Sequence, residues 1–411
     1  MDITITPAKL EGTVTPPPSK SQAHRALIAA ALADGESVIS NVAFSQDIEA
    51  TLNCLENLGA AFERDGNTVT VRGMGASTMS PLRRLAYPHL DCGESGSTLR
   101  FLIPIALAVR GGGIFSGRGR LMERPQKPYF DLFDEKGIFY EQKDGVLTVT
   151  GTLTPGEYRL PGDVSSQFVT GLLYALPLRD GDSQIILTSP LESRGYVDMT
   201  LDVLERFGIT IEARENSFLI PGRQRYKPCP LTVEADWSQA GFWYAAKALG
   251  HPIEIDGLDF DTVQGDRVVA THARELSRPG KVDIDVSGCP DLVPPLAVMA
   301  AVRSGVTRLT NAVRLRIKES DRLAAVTQVL NALGAQVTEY PDSLTIYGKN
   351  VLAGGVKVDA FNDHRIAMMA AIAATRCEQP VIITGAQCVA KSYPDFWEEY
   401  QRLGGKLQRS E

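Results

Sequence analysis

The chain places lysines and arginines inside turns of small residues that lead directly into almost wholly apolar runs. Lys20 and Arg25 stand in "PPPSKSQAHRAL", Arg100 follows "CGESGST", and Arg118, Arg120 and Arg124 lie in "GRGRLMERP". Lys318 and Arg322 belong to "RIKESDR", Arg365 to "NDHR" and Lys391 to "CVAKSYPDF". A cation next to an apolar helix is unfavourable unless something neutralises it. Arginine suits planar carboxylates and phosphates, and lysine acts as a point charge. The set therefore predicts one or two small, strongly anionic ligands. Three acids, Glu94, Asp291 and Glu319, sit among these cations. Each can simply pair with a neighbour, and Asp291 can also cap a helix. An acid held in a closing cleft is equally a proton-transfer group.

The elements that must position these residues repeat along the chain. Leu52–Gly73, Tyr129–Gly151, Leu201–Gly222 and Val329–Gly348 each read as a helix end, a glycine, a strand, a polar turn and a second strand. The glycines Gly59, Gly137, Gly208 and Gly334 suit the left-handed residue that ends a helix. The alternation after each suits a half-buried hairpin. The wide gap between Gly208 and Gly334 predicts a weaker copy at Val268–Gly288. The C-terminal "FWEEYQRLGGKLQ", with Gly404, reads as a last copy whose missing strand is the N-terminal "DITIT". Six units of about 70 residues, three per domain, are expected. Each unit also carries an earlier, more apolar helix, starting at "PSKSQAHR", "CGESGSTLR", "GDVSSQFVT", "EADWSQAGF", "SGCPDLVPP" and "FNDHRIAMM". Ser, Asp and Asn are ordinary N-caps, which suffices for one helix. Six such starts, several with Lys, Arg or Gln, suggest parallel buried helices aiming their positive ends at one face.

Bulk properties narrow the function. At 411 residues the chain is expected to form two domains, and its net charge of −7 argues against a general nucleic-acid binder. Runs such as "ALIAAALA" are too short to span a membrane, and the N-terminus reads as a strand rather than an export signal. The six cysteines are then expected as thiols in a reducing cytoplasm, and neither they nor the five histidines show metal-ligand spacing. No Walker phosphate loop, dinucleotide fingerprint or GxSxG elbow stands in its required context.

Taken together, "PPSKSQAHRAL", "CGESGSTLRFL", "GRGRLMERP", "DVSSQFVTGLL", "GCPDLVPPLAV", "IKESDRLAA", "FNDHRIAMMAA" and "AKSYPDFW" resemble the 5-enolpyruvylshikimate-3-phosphate synthase family over essentially the whole chain. The resemblance implies an α/β fold, a two-domain inside-out α/β barrel. Each domain has three repeated helix-sheet units with buried parallel helices and outer sheets. It implies a discontinuous domain of residues 1–16 and 227–411, a second of 17–226, and an active site in the interdomain cleft. It implies transfer of the enolpyruvyl group of phosphoenolpyruvate to the 5-hydroxyl of shikimate 3-phosphate through a tetrahedral intermediate. That step serves chorismate and aromatic amino-acid synthesis. No metal or organic cofactor, nucleic acid or membrane is implied, and the family pattern suggests a monomer.

The family's residues carry over by motif. Lys20 matches a lysine that touches both substrates. Ser21, Arg25, Ser165, Ser166, Gln167, Ser193, Asp291, Arg314 and Lys318 match shikimate 3-phosphate contacts. Gly93, Arg120, Gln167, Arg322, Arg365 and Lys391 match the phosphoenolpyruvate site, where glycine at 93 would leave room for the small substrate. Asp291, Glu319 and Lys20 are the catalytic candidates, with Glu319 expected to serve the methylene carbon and Asp291 the 5-hydroxyl. Glu94, Arg314 and Arg194 depart from residues common in the family at those places. Two rivals are a sister transferase acting on UDP-N-acetylglucosamine and a binding protein on the same scaffold. The loop "GGGIFSGRGRLMERP" lacks the cysteine typical of the first. The joint presence of Lys20, Asp291, Glu319, Arg322, Arg365 and Lys391 argues against the second.

Overall fold

The computed structural model describes residues 1–75 and 86–410. The chain divides into two compact units, Pro18–Glu234 and Met1–Pro17 with Ala235–Glu411. The sequence put the second crossing near residue 226. Leu231–Thr232 instead pairs in parallel with Glu36–Ser40, which keeps that stretch in the unit of Pro18–Glu234.

In Pro18–Glu234 the helices are α1 (Lys20–Leu32), α2 (Gln46–Leu58), α3 (Gly96–Arg110), α4 (Lys127–Lys136), α5 (Ser166–Ala175) and α6 (Arg194–Arg206). The odd-numbered helices are buried almost all round, as their apolar runs require. The even-numbered ones bury one face. Among the described residues three four-stranded sheets share one pattern of strand directions, although in one of them the first strand, Leu231–Thr232, comes from the far end of the unit. In the sheet of α3 and α4 the spatial order is His89–Asp91, Gly112–Ser116, Val146–Thr150, Phe139–Lys143. The first pair is parallel, with α3 as its crossover, and the rest is antiparallel. Alternation sets the inner face: in Thr68–Arg72, Val69 and Val71 are fully buried while their neighbours are not.

Close packing of α3 on α5 depends on a backbone defect. Pro104 lies inside α3 and has no N–H to give the carbonyl of Arg100, one turn earlier. The buried Tyr129 hydroxyl donates to that carbonyl at 2.9 Å and shares its proton with the Phe168 carbonyl at 3.0 Å. Gly171 of α5 faces this place. A Cβ there would lie 2.4 Å from the Tyr129 hydroxyl and 2.6 Å from the Arg100 oxygen, so a larger residue would push the two helices apart.

The other unit holds α7 (Trp237–Ala248), α8 (Val269–Leu276), α9 (Val293–Val302), α10 (Arg322–Ala332), α11 (His364–Ala374) and α12 (Phe396–Arg402). Again the odd-numbered helices are the buried ones, and α7, α9 and α11 touch one another. Pro294 and Pro295 open α9, where a missing N–H costs nothing. Gly280–Asp285, Gly305–Thr310, Leu344–Tyr347 and Gln336–Glu339 repeat the sheet pattern of the first unit. The last copy closes as the sequence predicts: Asp2–Thr6 pairs antiparallel with Lys406–Ser410 and with Val381–Thr384. The weak copy at 268–288 differs. Its helix α8 is followed by one strand, Gly280–Asp285, which pairs in parallel with Gly305–Thr310 and so opens the next repeat instead of folding back as a hairpin. Its own sheet is reduced to Ile253–Ile255 beside Gly12–Val14.

No described helix is long and apolar enough to cross a membrane, and the six cysteines form no disulfide. His251 ties the N-terminal segment to this unit. Its Nδ1 accepts from the Leu10 N–H at 3.2 Å, so Nε2 carries the proton and meets Thr375 Oγ1 at 2.7 Å. Burial, with Arg376 and Lys9 nearby, pulls its pKa down to about 4. The folded state thus stays neutral while the unfolded state takes a proton below the usual value of about 6.5. Stability is fully present above that value and is lost as pH falls, by up to about 1.4 kcal/mol per pH unit until the folded pKa is reached. Denaturant unfolding of His251→Gln at pH 7 and pH 5 should show a shallower loss than the parent chain.

Candidate active site

Five of the six buried helices start with a side-chain cap: Ser19, Ser95, Ser165, Asp236 and Asp363 accept from Gln22, Thr98, Gln167, Gln239 and Arg365 N–H respectively. Ordinary capping therefore accounts for these residues locally. The start of α9 differs, reached through a tight turn at Pro290–Leu292 with no side-chain cap. That turn frees the Asp291 carboxylate for other partners.

Those partners form a dense polar group in the unit of Met1–Pro17 and Ala235–Glu411. Arg322 opens α10 with its side chain 1% exposed. Its Nη1 donates to Asp291 Oδ1 at 2.7 Å, its Nη2 to Glu319 Oε2 at 2.7 Å, and its Nε to Asp363 Oδ2 at 2.8 Å. Arg365 donates to both the side chain and the carbonyl of Asp291, at 3.1 and 3.2 Å. Lys318 reaches Asp291 Oδ1 at 3.4 Å. Lys391 donates to the Asn362 carbonyl at 2.6 Å, and Arg314 to the Ser287 carbonyl at 2.6 Å. Burial opposes the charge on Arg322, but Asp363, Glu319 and Asp291 more than compensate and hold its pKa above the usual value. For Lys318 burial prevails. Its pKa is lowered, with Arg322 and Arg314 adding to the effect and Asp291 and Glu319 opposing it.

In Pro18–Glu234, Lys20 begins α1 and pairs with Asp47 of α2 at 2.7 Å, both largely buried. Arg25, one turn on, is 3% exposed. It donates to Thr200 Oγ1 at 2.9 Å, to the Ser21 carbonyl at 2.8 Å and to the Tyr196 carbonyl at 2.9 Å, and lies over the Phe101 ring. No carboxylate stands among these partners, and burial lowers its pKa to about 10. A cation so placed is stabilised further by an incoming anion. Gln167 is fixed from both sides: Arg100 donates to its Oε1 at 2.8 Å, and its Nε2 donates to Ser97 at 3.0 Å. Ser166 is buried beside it, and Ser193 is buried at the start of α6 with a left-handed backbone. Arg120 stands apart, half exposed and 3.8 Å from Glu123.

Gly93 has a reason for being glycine that precedes any ligand. Its φ is +57°, and an added Cβ would meet only Ala50 Cβ at an ordinary 3.5 Å. Gly93→Ala is therefore expected to cost about 1 kcal/mol in backbone strain, read by denaturant unfolding. A rise in KM for phosphoenolpyruvate beyond that modest loss of stability would report crowding of substrate. Glu94 lies against the loop after it, close enough that a Cβ on Gly119 would touch its carboxylate at 2.6 Å.

Several residues of these groups carried no sequence signal. Asp47 and Thr200 reach Lys20 and Arg25 from other helices. Asp363 reads as an N-cap, yet it is fully buried and also holds Arg322 and Ser320. Its place one residue before "HR" in the apolar "NDHRIAMMAA" was the available hint.

The family model described as EPSP synthase (3-phosphoshikimate 1-carboxyvinyltransferase) matches residues 5–400. A 3-phosphoshikimate 1-carboxyvinyltransferase of Clostridium kluyveri is 47% identical, with 98% of each chain covered. One of Clostridium perfringens is 46% identical over 99% of each. Among solved structures, an EPSP synthase from Acinetobacter baumannii superposes with a TM-score of 0.81 at 25% identity, covering 99% of this chain and 100% of that one. The enolpyruvyl transferase NikO from Streptomyces tendae shares the fold, with a TM-score of 0.77 at 19% identity over 99% and 98% of the two chains. With a family match over residues 5–400 and relatives 46–47% identical nearly end to end, the chain belongs to the EPSP synthase family.

Proposed function

We propose that the chain transfers the enolpyruvyl group of phosphoenolpyruvate to the 5-hydroxyl of shikimate 3-phosphate and releases phosphate. The observation that carries this reading is the pair of carboxylates, Asp291 and Glu319, held on one buried guanidinium. Addition and elimination need two proton-transfer groups kept in fixed relation. In the addition, the methylene carbon C3 gains a proton and C2 gains the 5-oxygen, whose proton goes to a base. The product of that step carries a methyl group, with the phosphate still on C2. In the elimination the C2–O bond to phosphate breaks and the methyl group gives back a proton. The enolpyruvyl ether and inorganic phosphate result.

Glu319 serves C3 in this reading, and Asp291 takes the hydroxyl proton. Lys20 stabilises the charge that develops. Arg322, Arg365, Lys391, Arg120, Gln167 and the backbone at Gly93 take phosphoenolpyruvate. Ser21, Arg25, Ser165, Ser166, Gln167, Ser193, Arg314 and Lys318 take shikimate 3-phosphate. A substrate carboxylate or phosphate adds to the partners of Arg365 and Lys391, and among the described residues no carboxylate pairs with Arg25. Preorganised cations of this kind contribute most when charge moves between oxygens in a dry site. The chain acts as a monomer in the cytoplasm in this reading.

The test is phosphate release from phosphoenolpyruvate by the purified protein, with shikimate 3-phosphate, with UDP-N-acetylglucosamine, or with neither. Release that depends on shikimate 3-phosphate is expected. Release with the UDP-sugar alone would overturn the choice of acceptor.

A further inference from the structure

At the opposite end of α9 from Asp291, α7, α8 and α9 end around a cavity of about 510 Å³. Lys247, Arg274, Arg278 and Arg303 line it, and no aspartate or glutamate does. Among the described residues none of these four cations pairs with a carboxylate. Elsewhere exposed arginines of this acidic chain commonly do, as Arg64 with Glu49 and Arg206 with Asp202. The walls are apolar, from Ala273, Leu276 and Met299. The Tyr244 ring completes them, and its hydroxyl makes no hydrogen bond to the described residues.

Basic residues in the last turn of a helix are ordinary, because they answer the helix dipole. That accounts for part of this group. Arg303, 8% exposed, donates to the Leu276 carbonyl at 2.9 Å and to the Arg278 carbonyl, and so satisfies the end of α8. Three helix ends supply roughly one and a half negative charges, against the four cations that line the cavity. A positive excess remains, on Lys247, Arg274 and Arg278, all exposed at the rim. Neither the dipoles nor stability requires an open apolar cavity at that place. Its volume is in the range of small-molecule sites.

We propose that this cavity binds a small organic carboxylate with an apolar body. The body lies against Tyr244, Leu276 and Met299, and the carboxylate meets the rim cations, whose guanidinium forks match it. The site is separate from the proposed catalytic residues and does not depend on them.

The probe is 2-naphthoate, with neutral 2-naphthol as the uncharged counterpart, in titration calorimetry at low salt. Naphthoate is expected to bind about tenfold more tightly than naphthol. Arg274→Glu with Arg278→Glu should lower naphthoate affinity about tenfold or more and leave naphthol within about twofold. Ala273→Trp, and independently Ser277→Trp at the exposed rim, should remove binding of both. Unchanged thermal midpoints would show that the variants fold. The anion has other cations to visit in this protein, so the cavity-filling variants decide. Absence of binding to the parent chain overturns the proposal. So do equal affinities for the two probes, or naphthoate binding that survives both tryptophans.

Discussion

Replacing Arg322 with methionine is expected to lower the thermal midpoint of the unit of Met1–Pro17 and Ala235–Glu411 by about 10 °C. The side chain is 1% exposed and holds three carboxylates, of which Asp363 is wholly buried. Without the guanidinium these acids lose the cation they share, so buried negative charge is left less well compensated. Removing one partner of a buried ion pair costs about 3–5 kcal/mol, and a unit of this size loses about 2–4 °C per kcal/mol. Arg322→Lys keeps the charge and loses the fork, so a smaller drop is expected. Combining Arg322→Met with Asp363→Asn should recover part of the loss, because the buried charge goes with its partner. A midpoint within about 2 °C of the parent for Arg322→Met would contradict the account of this group as its electrostatic centre.

The second large effect is kinetic. Asp291→Asn keeps the size of the side chain but offers one oxygen where Arg322 and Arg365 each have their own, so its amide NH2 faces one donor. It is therefore expected to fold with a lowered midpoint, by less than Arg322→Met because only one of the three carboxylates is neutralised. As the base for the 5-hydroxyl it should lower kcat by roughly 10³-fold. Little change is expected in KM for phosphoenolpyruvate, since a proton acceptor acts in the transition state rather than in binding. A purely structural Asp291 would lower the midpoint and leave kcat of the folded fraction unchanged, so kcat decides.

Much of the architecture was legible because it is written in local patterns. A helix that ends on glycine and runs into alternating strands needs no distant partner to be recognised. Gly59 and Gly137 are left-handed caps as expected, and hairpins follow both helices. The closure of Lys406–Ser410 by Asp2–Thr6 was legible for a related reason: an orphan strand at each end leaves one partner for the other. The copy at 268–288 misled, because "KVDIDVSG" alternates as a hairpin strand would. Its partner, Gly305–Thr310, lies across a buried helix that sequence spacing does not reveal.

The candidate site was legible in its residue types and much less in its pairings. Cations embedded in small-residue turns announced an anion site. That Lys20 answers to Asp47, or that Arg25 rests on Thr200 and over Phe101, depends on how helices pack. Asp363 shows the limit most clearly. Its capping role is local and readable, while its bond to Arg322 joins residues 41 positions apart. Gly93 teaches the converse. A glycine in a site invites a ligand explanation, and its positive φ gives a backbone one first.

The most direct test of addition followed by elimination is the reaction run in D2O, with product examined by proton NMR. Protonation at C3 makes a methyl group that holds one solvent deuteron before it gives a proton back. Deuterium should therefore appear in the vinyl methylene of the enolpyruvyl product, and Glu319→Gln should slow its formation. Product formed at the normal rate with no deuterium in that methylene would contradict the mechanism and remove the role given to Glu319.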